Sequence, residues 1–121
     1  EKKQGKCKDI MTKGVFFAKP NDTILRTSEV MMRHAISQMP VISGNKVVGT
    51  ITEEIIIRNL RSNLAEEKAR NVMGPSLPTI QDEVGIDSLR RILVKHPGVL
   101  VARGREIVGI ITRSDLLKTI A

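Results

Sequence analysis

The sequence predicts an α/β (α+β) fold: two β-α-β-β-α repeats packed sheet to sheet with pseudo-twofold symmetry. Three observations predict it. A phrase is written twice, "GTITEEIIIRNL" from Gly49 to Leu60 and "GIITRSDLLKTI" from Gly109 to Ile120. The register between the halves changes only once. Each half carries the same order of helix and strand patterns. At an offset of 62, Met11 matches Met73, Ile24 matches Ile86, Met31 matches Leu93 and His34 matches His96. At an offset of 60, Val41 matches Val101, Gly49 matches Gly109 and Thr52 matches Thr112. The change falls between His96 and Val101, where "HAISQMPVI" becomes "HPGVLVA". A helix-to-strand loop absorbs such a deletion, so the coherent shift points to duplication.

The elements follow in order. "DIM" or "NVM" forms a short turn before an extended run, Val15 to Ala18 or Leu77 to Ile80. A helix is expected from about Asp22 to His34, with Asp22 as its N-cap, and another from about Gly85 to His96. Ile24, Thr27, Val30 and Met31 share one face of the first; Ile86, Leu89, Ile92 and Leu93 share one face of the second. Two strands follow in each half, joined by Ser43-Gly44-Asn45-Lys46 or Arg103-Gly104-Arg105-Glu106. A closing helix begins at Thr52 or Thr112. Three consecutive isoleucines, Ile55 to Ile57, favour a strand there. The better helix formers of "ITRSDLLKTI" and the acids after Thr52 favour a helix in both copies.

A chain of 121 residues can bury one sizeable core and is short for two ordinary independent domains. One pair, 1–121, is therefore expected, with repeats at 8–64 and 69–121. No apolar run approaches the ~20 residues of a membrane span. "EKKQGKCKD" lacks a signal-peptide pattern, and a start at Glu1 suggests a piece of a longer chain. The single cysteine, Cys7, cannot form an internal disulfide and reads as a spectator near a frayed terminus, compatible with a reducing cytoplasm. The net charge of +7 suits an anionic partner or simply solubility. Phe16 and Phe17 are the only aromatics, which disfavours single-strand readers that stack several bases.

The closing phrases, with "DIM" and with "MPVI" before a glycine turn, resemble the tandem CBS domain, or Bateman module, over about Lys8 to Ala121. The resemblance implies a regulatory module that binds an adenosine compound: AMP, ADP, ATP, S-adenosylmethionine or a relative. It implies no required cofactor, an attached or separate effector domain, and a homodimer. Terminal helices with apolar residues to spare (Ile55, Ile56, Ile57 and Leu60; Leu116, Leu117 and Ile120) fit that dimer.

Thr112-Arg113-Ser114-Asp115 fits a helix capping box. By the resemblance, the same Asp115 holds the ribose hydroxyls and Thr112 assists. The first copy has Thr52 but Ile55 at the acid position, and isoleucine cannot accept a ribose hydroxyl; one competent nucleoside cleft is expected. The resemblance brings Thr12, Phe17, Ile36, Ser37, Met39 and Pro40 opposite Asp115. Phe17, Ile36 and Met39 either sandwich a base or form ordinary core, as does Pro40; Thr12 and Ser37 either bond its edge or a phosphate, or are solvated polar positions. Where family members that bind AMP carry a basic residue before the second strand, this chain has Gln38 and Gly98. Arg113 and then Lys13 are the substitute phosphate contacts, or surface charges. His34 and His96 read as helix-end residues.

An enzyme is not expected: there is no Cys-His pair, glycine-rich phosphate loop, HExxH or acid–base dyad, and no catalytic or metal-ligating residue is assigned. The alternative function is nucleic-acid binding, or service as a transcription-regulator accessory domain, through the basic surface.

Overall fold

A computed structural model describes residues 5–120. Its elements run α1 (Cys7–Ile10), α2 (Ile24–Arg33), β1 (Gln38–Ser43), β2 (Lys46–Thr52), α3 (Glu53–Arg58), α4 (Ala69–Val72), β3 (Thr79–Gln81), α5 (Ile86–Lys95), β4 (Gly98–Arg103), β5 (Glu106–Thr112) and α6 (Arg113–Lys118). The fold is mixed α/β, as the two patterns predict. The chain forms two compact units. One is Phe16–Ser76; the other joins Glu1–Val15 to Leu77–Ala121.

In the unit Phe16–Ser76, β1 and β2 form an antiparallel hairpin closed between Ser43 and Lys46. Gly44 has φ +62° at the first central position of the turn, where a side chain would be strained. Ile24, Thr27 and Met31 of α2 are buried, and the core joins Ile24 and Met31 to Ala18, Met39, Val41, Ile51 and Ala69. Asp22 is not the N-cap. Its carboxylate accepts from Lys19 N (2.9 Å) and closes the preceding turn, while Thr23 Oγ1 accepts from Arg26 N (3.1 Å) and caps the helix. The Val15–Ala18 run makes one parallel bridge, Ala18 to Val41, rather than a strand.

The run Ile55–Ile57 is helical. Thr52 Oγ1 accepts from Ile55 N (3.2 Å), and Glu54 pairs with Arg58 one turn on. Helical spacing packs Ile55 and Ile56 against the core and leaves Ile57 exposed. That tertiary burial outweighs the β preference of branched side chains.

The unit is completed from the start of the second repeat. Ala69 N donates to Asp22 O (2.8 Å), and Thr50 and Gly74 exchange backbone hydrogen bonds (3.1 and 2.9 Å). A Cβ on Gly49 would lie 2.5 Å from the Met73 sulfur and 2.9 Å from the Gly74 carbonyl oxygen. Gly49 is therefore the seat of Met73.

The other unit repeats the arrangement. β3 runs parallel to β4, which pairs antiparallel with β5. Here the start of the first repeat supplies the missing piece. Cys7 N donates to Val84 O (2.8 Å), and Thr12 and Ile110 exchange backbone bonds (2.9 and 3.0 Å). Met11 fills the space over Gly109, where a Cβ would lie 2.5 Å from its sulfur. Cys7 is thus no frayed spectator. It is fully buried with Leu89, Leu93, Val99, Val101 and Ile111. Burial, and then the nearby Asp82 charge, push its thiol pKa up, away from thiolate chemistry.

Lys6 and Lys8 both reach Glu83, each at 2.6 Å, and hold its carboxyl down at about 2 from an ordinary 4.5. This bracing is in place above about pH 4.5 and is lost as pH falls towards 2. It is a surface network, so its effect is local. A carboxyl NMR titration should place Glu83 near 2, and the double variant Lys6→Ala, Lys8→Ala should return it towards 4.5. Titration of the parent near 4.5 would show that the two lysines do not hold it.

Candidate functional site: the strand-to-helix corner at Thr112

The sequence-predicted residues divide between the two units. Thr12, Lys13, Thr112, Arg113 and Asp115 fall in one; Phe17, Ile36, Ser37, Met39 and Pro40 fall in the other.

At the corner where β5 becomes α6, Asp115 Oδ2 accepts from Thr112 N (2.8 Å) and from the Thr112 hydroxyl (3.2 Å). Asp115 is short for a capping acid, yet it reaches. Both bonds use one oxygen, so the cap leaves Oδ1 as a second acceptor on a half-buried carboxylate. Thr12 lies beside this corner, bridged to Ile110 on β5, and Thr12 and Lys13 are both exposed. The matching corner of the other unit differs. Thr52 caps α3 through its hydroxyl, and Ile55 packs against the core at the acid position. Glu54 is committed to Arg58 at 2.6 Å. No carboxylate stands where Asp115 stands.

Arg113 does not stand free for a phosphate. Its Nε donates to Leu93 O (2.7 Å) and an Nη to Val94 O (3.3 Å), so it caps the end of α5. The two-residue deletion explains the need. In the first repeat α2 ends through Ala35, whose φ of +53° lets Ile36 N donate back to Met31 O (3.0 Å). The shortened turn after α5 has no such residue, and Arg113 supplies the cap instead. Glu53, its counterpart, donates through its backbone N to Ser37 O (3.2 Å).

In the unit Phe16–Ser76, Phe17 is 51% exposed and lines a cavity of about 300 Å³ with Met39. Ile36 and Ser37 line a different groove, of about 540 Å³, between α2 and α3. Met39 and Pro40 are buried core residues. The apolar residues singled out for a base are thus not one surface: Phe17 and Ile36 keep accessible area, whereas Met39 and Pro40 have almost none. Sequence reasoning also missed Phe16, whose ring stacks on His34 at 3.8 Å.

Among the described residues no group of three or more His, Cys, Asp and Glu could hold a metal ion, and no helix is long and apolar enough to cross a membrane.

Comparison with known proteins agrees with this architecture. The uncharacterized protein MJ1232 of Methanocaldococcus jannaschii is 34% identical over 119 residues, covering 96% of this chain and 40% of that protein. An A-adding tRNA nucleotidyltransferase of Geobacter sulfurreducens is 27% identical over 112 residues, which are 91% of this chain and 13% of that enzyme. The chain therefore spans less than half the length of these curated relatives. Among solved structures, the CBS domain pair of protein MJ0100, in complex with 5′-methylthioadenosine and S-adenosyl-L-methionine, matches with a TM-score of 0.86. It is 25% identical, and the match covers 98% of this chain and 97% of that one. The CBS domain profile matches residues 7–62 and again 69–121, so the chain belongs to the CBS domain family as a tandem pair.

Proposed function

We propose that this chain is a regulatory module that binds an adenosine compound through Asp115 and Thr112 and does no chemistry on it. The carrying observation is the asymmetry of the two corners: a carboxylate with a second acceptor oxygen at Asp115, and a packed isoleucine at Ile55. A ribose offers two adjacent hydroxyl donors, which a carboxylate accepts well in a half-buried setting. The complex formed by MJ0100 supports a sulfur-bearing adenosine compound, sulfonium or thioether, as the ligand class. So does the engagement of Arg113 with α5, which leaves the exposed Lys13 as the cation for any phosphate beside this corner. We rank S-adenosylmethionine and methylthioadenosine ahead of AMP, ADP and ATP for that reason. The regulatory reading places the effector in a separate chain or attached domain and the module in the cytoplasm.

Melting of the protein with each compound tests the reading. A binder raises the melting temperature as its concentration exceeds Kd. S-adenosylmethionine or methylthioadenosine should do so more than AMP; no shift with any adenosine compound would contradict the proposal.

A twofold homodimer belongs to the same proposal. Its surface lies at the closing helices, where large exposed apolar residues occur as repeat-related pairs: Ile57 with Leu117, and Leu60 with Ile120. Large apolar side chains left exposed at matching positions of both repeats fit an interface. Light scattering at micromolar concentration should give twice the chain mass for the parent and the chain mass for Ile57→Asp, Leu117→Asp. A monomeric parent would contradict it.

A further inference from the structure

The duplication leaves a groove beside matching residues of each repeat. In the first repeat, Phe16, Val30, Arg33 and His34 line a cavity of about 300 Å³. In the second, the equivalent residues Pro78, Ile92, Lys95 and His96 line one of about 600 Å³. The two openings share these four positions and differ beyond them: the first extends to Asp22, Arg26 and Met39, the second to Arg91 and Val94. Phe16 lays its ring on His34 with centroids 3.8 Å apart and planes 21° apart. Pro78 stands in its place and has no aromatic ring, so His96 borders a groove without the stacked aromatic that His34 has in the first repeat.

The electrostatics differ as well. Asp22 lines the first cavity beside Arg26 and Arg33. Among the described residues no acid lines the second, where Arg91 and Lys95 border the apolar floor, and neither of the two pairs with a carboxylate. The helix end offers no counter-charge, because Arg113 binds the Leu93 and Val94 carbonyls.

We propose that the groove between Pro78 and the last turns of α5 is a docking site for an aromatic side chain carried on an acidic segment of a partner protein or domain. The ring takes the position that Phe16 takes in the first repeat, stacked on His96 over Ile92 and Pro78. Flanking carboxylates meet Arg91 and Lys95. Stacking and cationic flanks together give selectivity that neither gives alone. The site lies apart from Asp115, and its occupancy does not depend on the adenosine reading.

The test is an NMR titration of the whole isotope-labelled chain with an acetylated Glu-Glu-Phe-Glu-Glu peptide. The His96 ring signals should shift upfield under the ring current. Replacing Phe by Ala in the peptide should weaken binding about 10-fold. Pro78→Phe should close the groove from within and weaken the parent peptide by a similar factor; His96→Ala tests the same contact without adding bulk. Arg91→Glu with Lys95→Glu should remove binding. Equal binding of the Phe and Ala peptides would overturn the proposal and reduce the site to charge attraction. So would unchanged binding by both Pro78→Phe and His96→Ala. Phenylacetate binding as tightly as the peptide would overturn the partner assignment in favour of a small free anion.

Discussion

Deleting residues 1–12 unfolds the unit built on the second repeat, although the deletion leaves that repeat's own sequence intact. The segment supplies Cys7 to the Leu89–Leu93–Val99–Val101–Ile111 core and packs Ile10 and Met11 against it. Each such side chain contributes roughly 1.5–3 kcal/mol when fully buried. The deletion also removes the paired backbone bonds between Thr12 and Ile110 and uncovers Gly109. A loss of about 4–6 kcal/mol is comparable with the whole stability of a small domain. The truncated chain should lose cooperative melting and the protected amides of β4 and β5. Retention of the parent melting temperature would show that the exchanged segment is dispensable. The milder variant Met11→Ala should cost about 2–3 kcal/mol and separate packing from strand pairing.

Asp115→Asn should abolish most adenosine affinity while leaving the fold nearly unchanged. The amide keeps an acceptor oxygen for Thr112 N but removes the charge that strengthens two hydroxyl contacts. Losing that charge-assisted pair corresponds to about 1.5–3 kcal/mol, or about 10- to 150-fold in affinity. Asp115→Ala should lose the same affinity and, in addition, ~1 kcal/mol of stability through the cap. Ile55→Asp should leave the affinity of the Asp115 corner intact. A 2′-deoxy ligand should bind the parent about as weakly as the ordinary ligand binds Asp115→Asn. An Asp115→Ala chain that melts earlier yet binds like the parent would leave capping as the residue's whole role.

Periodicity carried much of the fold because the copies check each other. The Ile55–Ile57 run is ambiguous alone, and its partner "ITRSDLLKTI" resolves it towards a helix. The same comparison exposed Ile55 opposite Asp115. What it could not show was the exchange of segments, since pairing of Met11 with Gly109 is long-range and a local pattern has no access to it. A signal was present all the same: a glycine inside each apolar strand, Gly49 and Gly109, marks a close approach, and the matched Met73 and Met11 were the groups approaching. Asp22 was misread as a cap because Asp and Thr both suit that position, and only the direction of the Lys19 bond decides between them. The cap made by Arg113 was hidden because it answers a deletion 15 residues away.

The number of adenosine ligands bound per chain tests the central claim most directly. Native mass spectrometry with S-adenosylmethionine, methylthioadenosine and AMP, paired with calorimetry, counts them. Specialisation of the two corners predicts one ligand per chain and loss of that ligand in Asp115→Asn. Two ligands of similar affinity per chain, or one that persists in Asp115→Asn, would contradict it.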